Sequence, residues 1–291
     1  MPAFSRQVHC LDQDLVRIEL RLEQRAGILY DRLATRFIGR PEAARFFTFM
    51  AGNEAKHAVA VAVQKGDTID AYLARQSNRF APENVLRMDM HCHDRNSDTP
   101  DELWGRILNL PESWLKTRKL VKCLKRNGCD VITVTNHNNA RSCWQLLDEG
   151  EDVLVAAEFT CHFPDINLFC HVLTYGFDRE QEIILDHKRE NIYEFLRYAA
   201  AEDIPVVLPH PLYFYTSNKQ LDLQLFEKLA VMFQRFEVLN GQRDLWQSTL
   251  TLNWIQSLTP AKIRAYARKH KLDPQDFGVN PDQPKVLTGG S

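Results

Sequence analysis

Histidine and carboxylate side chains recur inside or just after successive short apolar segments beyond residue 85. They are His91, His93, Asp98, His137, Glu158, His171 and His210. A single strand histidine is usually a packed core residue, but an imidazole without a partner is costly to bury, and a shared cation would remove that cost. Alternate residues of an extended segment face one side, so His91 and His93 can reach one ion together. We therefore predict a metal site, for which zinc, manganese and iron are all suitable.

The elements that must position these side chains are seven apolar runs separated by helical segments. The runs are 85–91, 129–137, 152–159, 168–177, 204–210, 235–241 and 285–290. This alternation is typical of a parallel sheet with crossover helices, so the fold class is α/β. Seven runs suggest a barrel, in which the chemistry lies at the carboxyl ends of the strands.

The order of the motifs in this region resembles a known family. The segments HCHDRNSD, ITVTNHNN, AAEFTC, CHVLTYGF, LPHP and FEVLNG are similar to those of the polymerase-and-histidinol-phosphatase (PHP) family. The resemblance implies a distorted seven-stranded (β/α)7 TIM-like barrel over residues 85–291, with two or three divalent metal ions. It also implies hydrolysis of phosphate mono- or diesters by metal-activated water. The seven residues named first would then be both metal ligands and catalytic residues.

The sequence departs from the family pattern at two places. The second motif commonly has Asp before His, whereas this chain has Asn136 before His137, so the orientation of His137 could differ. The last family motif, of the type Gly-Ser-Asp-x-His, would begin at Gly290, but the sequence ends at Ser291. We expect the sequence to be a fragment of a longer protein, truncated before the final Asp and His ligands. The alternative is an incomplete site that binds fewer metal ions.

Two arginines are candidates for holding the phosphate of a phosphorylated small molecule or nucleotide substrate. Arg141 follows the second run and Arg243 follows the sixth, although a solvated loop charge explains each equally well. A basic run lies between the first two motifs and is interpreted as a solvated helix face. It consists of Lys116, Arg118, Lys119, Lys122, Lys125 and Arg126.

Residues 1–80 have helical spacing and are predicted to form a separate α-helical hairpin domain. Its helices should cover about 12–38, 41–64 and 68–75, followed by a polar linker. The Glu54-x-x-His57 spacing, together with Glu23, resembles one half of a rubrerythrin-like ferritin domain. The resemblance implies a di-iron site only if two chains form a homodimer through these helices. A plain helical packing or dimerisation module is the alternative.

The composition limits the function classes. The chain has 291 residues, a formal net charge of -2 and seven cysteines without a C-x-x-C spacing. These values favour reduced thiols and a cytoplasmic location, and no membrane segment is predicted. Nucleic acid binding is permitted but not indicated.

Three functions remain open at this point. The first is a metal-dependent phosphoesterase. The second is a metal-binding regulatory module attached to another catalytic domain, such as a glycosyltransferase, beyond the carboxyl terminus. The third is a ferritin-like iron-binding protein, which would depend on the amino-terminal helices alone.

Overall fold

The structure is a computed structural model, and it describes residues 29, 32, 34–36, 68–77, 85–97, 113–166, 168–212, 215–216, 223–242 and 245–290. Within these residues the protein is a mixed α/β chain of helices and short sheets. Asp67–Tyr215 and Phe226–Ser291 belong to one compact unit, which contains every residue of the candidate site described below. Met1–Gly66 and Thr216–Leu225 belong to the other unit.

The elements follow one another in an irregular alternation of helices and strands. The helices are α1 (Ile69–Ser77), α2 (Thr117–Arg126), α3 (Arg141–Asp148), α4 (Arg179–Lys188), α5 (Ile192–Ala201), α6 (Leu223–Met232), α7 (Leu245–Gln256) and α8 (Pro260–His270). The strands are β1 (Ala156–Phe163), β2 (Leu168–Tyr175), β3 (Val206–Val207), β4 (Tyr215–Thr216), β5 (Arg235–Asn240) and β6 (Val286–Gly290). A short 3₁₀ helix covers Pro274–Phe277.

The first sheet is antiparallel, which differs from the parallel arrangement predicted from the sequence. Strand β2 pairs antiparallel with both β1 and β3, and β4 also pairs with β2. Only residues 164–167 separate β1 from β2. A parallel connection needs about a dozen residues or more, so this short turn dictates a hairpin.

Strands β5 and β6 pair in parallel, in agreement with the prediction. The two runs before β1 are extended segments that form isolated parallel bridges rather than full strands, at Met88↔Val131 and at His137↔Glu158. The chain after β3 forms a further parallel bridge to β5, at Leu208↔Phe236. These bridges bring the ends of several predicted runs next to one another.

Several helices bury apolar residues, and α4, α5 and α8 begin at side-chain caps. On α5 the side chains of Phe195 and Leu196 are almost fully buried, and each contributes roughly 1.5–3 kcal/mol through the hydrophobic effect. Asp178 starts α4 with a capping box. The Asp178 carboxylate accepts a hydrogen bond from the Gln181 backbone N–H, and the Gln181 side-chain oxygen accepts one from the Asp178 backbone N–H. Such caps determine the residue at which these helices begin.

Two smaller predictions are confirmed. The helix predicted at 68–75 is α1, which packs against α7, and its first N–H donates to Thr249 Oγ1 at 3.2 Å. The basic side chains on and before α2 are all exposed, and two of them pair with Glu149 and Glu151. The basic run is therefore a solvated face.

The predicted amino-terminal helices lie largely outside the described residues. Leu29, Arg32 and residues 34–36 are helical, within the range predicted for the first helix. The division into domains at 80–85 stays a prediction. Among the helices that the structure describes, none combines the length and apolarity needed to cross a membrane.

Candidate metal centre

Five imidazoles surround one buried carboxylate, that of Glu158, whose side chain is fully excluded from solvent. One oxygen, Oε2, lies 3.0 Å from His91 Nε2 and 3.1 Å from His93 Nε2. The same oxygen is 3.4 Å from His137 Nδ1. Three side chains from two distant segments therefore meet at a single oxygen atom.

The other oxygen of Glu158 completes the cluster. Its Oε1 lies 3.1 Å from His171 Nδ1 and 3.1 Å from His210 Nε2. Six of the seven side chains predicted from the sequence are thus brought together. The seventh, Asp98, lies outside the described residues.

The backbone pairing explains why these side chains converge on Glu158. In the β1–β2 hairpin Thr160 pairs with His171, and Glu158 pairs with Leu173, so Glu158 and His171 are diagonal neighbours on one face. On its other side, β1 meets the segment of His137, because Glu158 N donates to Asn136 O at 3.0 Å. Glu158 is therefore placed between two imidazoles by ordinary sheet geometry.

His91 and His93 lie on the same side of their extended segment, as the alternation of residues predicts. Their ring centroids are 5.0 Å apart, and their Nε2 atoms are 3.0 Å apart. Two ring nitrogens at this distance can share one proton, or both can bind a cation.

His210 reaches the cluster from an unusual backbone conformation. Its φ angle is +27°, a left-handed value that residues other than glycine rarely adopt and that often marks a functional site. Its backbone N–H donates to Glu237 Oε2 at 2.8 Å. The strained residue is thus fixed by a buried carboxylate on β5.

The electrostatics of the cluster keep its carboxylates ionised. Burial alone would raise the pKa of Glu158, but the imidazoles around it, led by His91, hold this pKa well below its usual range. Burial alone would also raise the pKa of Glu237, and the same His91 lowers it. Ionised carboxylates are the form that binds a cation.

Glu237 was not predicted as a site residue. It is 2% exposed and contacts His91 Nδ1 with Oε1 at 3.0 Å. The sequence signal was a carboxylate between the apolar residues Phe236 and Val238 of a predicted strand, since a carboxylate is rarely buried without a partner.

A second buried polar network joins Asp94, Asn136 and Thr117, next to the metal centre in sequence. The Asp94 carboxylate, which is fully buried, accepts hydrogen bonds from Asn136 Nδ2 at 2.8 Å and from Thr117 Oγ1 at 2.6 Å. In return, Asn136 Oδ1 accepts from Asp94 N at 2.9 Å. The asparagine that departs from the family pattern therefore serves as a donor to Asp94, and His137 has its own backbone bond to Ser97 Oγ.

We expect Asn136→Asp to destabilise the protein, because it would place a second buried carboxylate against Asp94. The lost hydrogen bond and the repulsion should lower the free energy of unfolding by about 1–3 kcal/mol. Chemical denaturation measured by circular dichroism checks this. The double variant Asn136→Asp with Asp94→Asn again pairs one carboxylate with one amide, at exchanged positions. It should recover part of the lost free energy of unfolding. Equal stability of the single variant and the wild type would contradict the assignment.

The residues present fit a metal ion. Two groups of three could each hold a cation: one is His91, Glu158 and His210, and the other is His93, His137 and Glu158. A carboxylate offers about four lone-pair sites, so Glu158 cannot satisfy five imidazoles by hydrogen bonding alone. Ligand atoms about 2.1 Å from one ion lie about 3.0 Å apart at right angles and about 3.4 Å apart at the tetrahedral angle. The separations from Glu158 Oε2 to His91, His93 and His137 lie in this range, at 3.0, 3.1 and 3.4 Å.

The remaining predicted residues have different outcomes. Arg141 is the first residue of α3, and its exposed guanidinium donates to Asn139 Oδ1 at 3.1 Å. Arg243 lies outside the described residues, as do the three residues predicted to form a di-iron site, which are Glu23, Glu54 and His57. Their roles stay predictions.

Two of the solved structures that match this chain show weak similarity to it. No family model and no curated protein matches the sequence. An amidohydrolase from Chromobacterium violaceum is 13% identical, with a TM-score of 0.38, over 70% of this chain and 86% of that one. A protein from Bifidobacterium adolescentis, described as a metal-dependent phosphoesterase, is 14% identical, with a TM-score of 0.36, over the same shares of the two chains. TM-scores of this size do not establish a shared fold.

Proposed function

We propose that this protein is a metal-dependent phosphoesterase that hydrolyses phosphate mono- or diesters. The observation that supports this most directly is the pair of three-residue groups that share Glu158. Carboxylate and imidazole ligands converging on adjacent positions are suited to two divalent ions, and zinc, manganese and iron remain the candidates. The ordered motifs similar to the PHP family support the phosphate ester as substrate.

The proposed ligands are His91, His93, His137, Glu158, His171 and His210, with Asp98 as a seventh. When bound, divalent ions lower the pKa of a coordinated water towards neutrality and stabilise the developing charge on phosphoryl oxygens. The side chains of the protein position these ions and shield them from water. Glu158 lies between the two groups of imidazoles, and burial of the cluster excludes bulk water, which strengthens every electrostatic interaction within it.

We also infer that seven extended segments close into a barrel around this site. Each of the seven segments would have a neighbour on both sides. They are the strands β1, β2, β3, β5 and β6 and the segments 85–91 and 129–137. Besides the pairings described above, Met90 N donates to Gly289 O at 3.2 Å, which joins the first segment to the last strand. Closure would set the carboxyl ends of the parallel segments around one pocket.

Arg141 and Arg243 are proposed to hold the substrate phosphate, and a phosphorylated small molecule or a nucleotide is the proposed substrate class. A guanidinium presents several donors in a planar fork that matches phosphate oxygens. Since Arg141 is exposed at the start of α3, a substrate could reach it from solvent.

The double variant His91→Ala, His93→Ala tests the proposed function. We expect metal content, measured by plasma mass spectrometry, to fall to background, and hydrolysis of a chromogenic phosphate ester to disappear with it. Replacing His162 and His187 with alanine is the matched control, because neither belongs to the cluster. Unchanged metal content in the first variant would refute the metal site. Metal binding without hydrolysis of any ester would instead favour the regulatory module.

A further inference from the structure

Glu237 accepts hydrogen bonds from three donors in the site. Besides His91 Nδ1 and the backbone N–H of His210, the Asn240 side chain donates to Glu237 Oε2 at 3.0 Å. Asn240 lies three residues further along, at the end of β5, and is itself buried. The carboxylate is therefore held rigidly at the end of a strand.

The contact with His91 determines which ring nitrogen is available. A carboxylate can only accept, so His91 Nδ1 must be protonated in this pair. The lone pair of the neutral ring is then on Nε2, the atom that lies 3.0 Å from Glu158 Oε2. A histidine that donates from one nitrogen to a carboxylate is both oriented and made a stronger ligand at the other.

The hydrogen bond from His210 to Glu237 is made by the backbone N–H of His210, so it stabilises the backbone conformation of that residue. The left-handed φ of His210 is unfavourable for a residue with a side chain. Its backbone N–H donates to the buried Glu237 Oε2, and this hydrogen bond stabilises the unfavourable conformation. His91 and His210 are the two imidazoles of one three-residue group. One carboxylate thus fixes both of them by different atoms.

We propose that Glu237 is the positioning residue of the group formed by His91, Glu158 and His210, and that it prepares this group for a divalent cation without being a ligand. This inference rests on the proposed metal-dependent function. It assigns Glu237 to this group because Glu237 contacts both of the histidines in it, His91 through the ring and His210 through the backbone.

The test is Glu237→Gln, which keeps the shape of the side chain but replaces one acceptor oxygen with an amide donor. If the amide faces His91, the ring must accept at Nδ1 and carry its proton on Nε2, which cannot then bind a metal. If the amide faces His210, two N–H groups oppose each other. In either orientation we expect Zn²⁺ affinity, measured by competition with a chelating indicator, to fall by about 10- to 100-fold.

The matched control is Glu182→Gln on α4. Glu182 also accepts two hydrogen bonds, from Ala140 N at 2.8 Å and from Trp144 Nε1 at 2.5 Å, but neither partner belongs to the group. We expect this variant to lower the melting temperature without lowering Zn²⁺ affinity. A general loss of stability would affect both variants alike, whereas a positioning role predicts loss of affinity only in Glu237→Gln.

Nuclear magnetic resonance of protein with ¹⁵N-labelled histidine gives a second measurement that does not depend on activity. A protected Nδ1 proton on His91 should be present in the wild type. In Glu237→Gln it should be lost if the amide nitrogen faces His91, and it should be less protected if the amide oxygen faces His91, because a neutral acceptor replaces a charged one. If the wild type binds no Zn²⁺, the proposed function fails, and this proton still tests the orientation of His91 by Glu237. Folded Glu237→Gln with unchanged affinity and an unchanged Nδ1 proton would overturn the proposal.

Discussion

Replacing Glu158 with glutamine should weaken metal binding more than 100-fold and abolish hydrolysis with it. Glu158 belongs to both three-residue groups, so the substitution removes the charged ligand from each. Loss of a residue that only supports a ligand typically weakens metal affinity by about 10- to 100-fold. We expect more than 100-fold from the loss of this shared ligand, measured as Zn²⁺ affinity and as metal content after purification.

The substitution also separates the metal site from the fold. The glutamine side chain has nearly the same volume, so β1 and its pairing with β2 should persist in the circular dichroism spectrum. Glu182→Gln again provides the control for loss of a single carboxylate. Wild-type metal content in Glu158→Gln would exclude the cluster as the metal centre.

Replacing Gly290 with alanine should both destabilise the protein and displace His91. A Cβ atom at this position would lie 2.2 Å from His91 Cβ, 2.6 Å from its N and 2.8 Å from its Cα. These atoms are backbone or next to it and cannot move aside cheaply. Overpacking of this kind costs about 1–3 kcal/mol, and sometimes more, so we expect a lower melting temperature together with weaker Zn²⁺ binding.

Gly289→Ala is the control for this prediction. A Cβ there would meet Leu239 Cβ and O at 3.4 Å, which is ordinary contact. We expect stability and metal affinity close to those of the wild type. If both alanine variants behaved alike, the close approach of β6 to His91 would not be a determinant of the site.

Much of the candidate site was predictable because its residues are chemically unusual where they stand. Histidines such as His171 and a carboxylate such as Glu158 are out of place in apolar runs, and this alone predicted that they would share a partner. The alternation of His91 and His93 predicted a shared side correctly. Such inferences require only the period of a strand and the cost of burying a polar group.

Features that depend on contacts between distant residues were not predictable. Glu237 is separated from His91 by 146 positions, so no local pattern links the two. The same holds for Gly290, whose missing side chain matters only because another segment passes beside it. The predicted parallel direction of the first sheet was wrong because periodicity indicates a strand but not its orientation.

The interpretation of Asn136 also depended on a distant partner. From the sequence, its replacement of an aspartate indicated a lost charge beside His137. The structure places the Asp94 carboxylate against this amide, so an acidic group lies in that network after all, at another position. A charge that the sequence lacks at one position can therefore be supplied by an acidic residue from another segment.

The β1–β2 hairpin gives the site a particular order of assembly. Glu158 and His171 are joined by a short turn, and such local contacts form early and quickly during folding. His91 and Glu237 must be brought in from far along the chain, and closing such long loops is entropically unfavourable. The hairpin that forms first therefore provides only two metal ligands, Glu158 and His171, and binds a cation weakly. High affinity for a cation requires the long-range contacts, which form last.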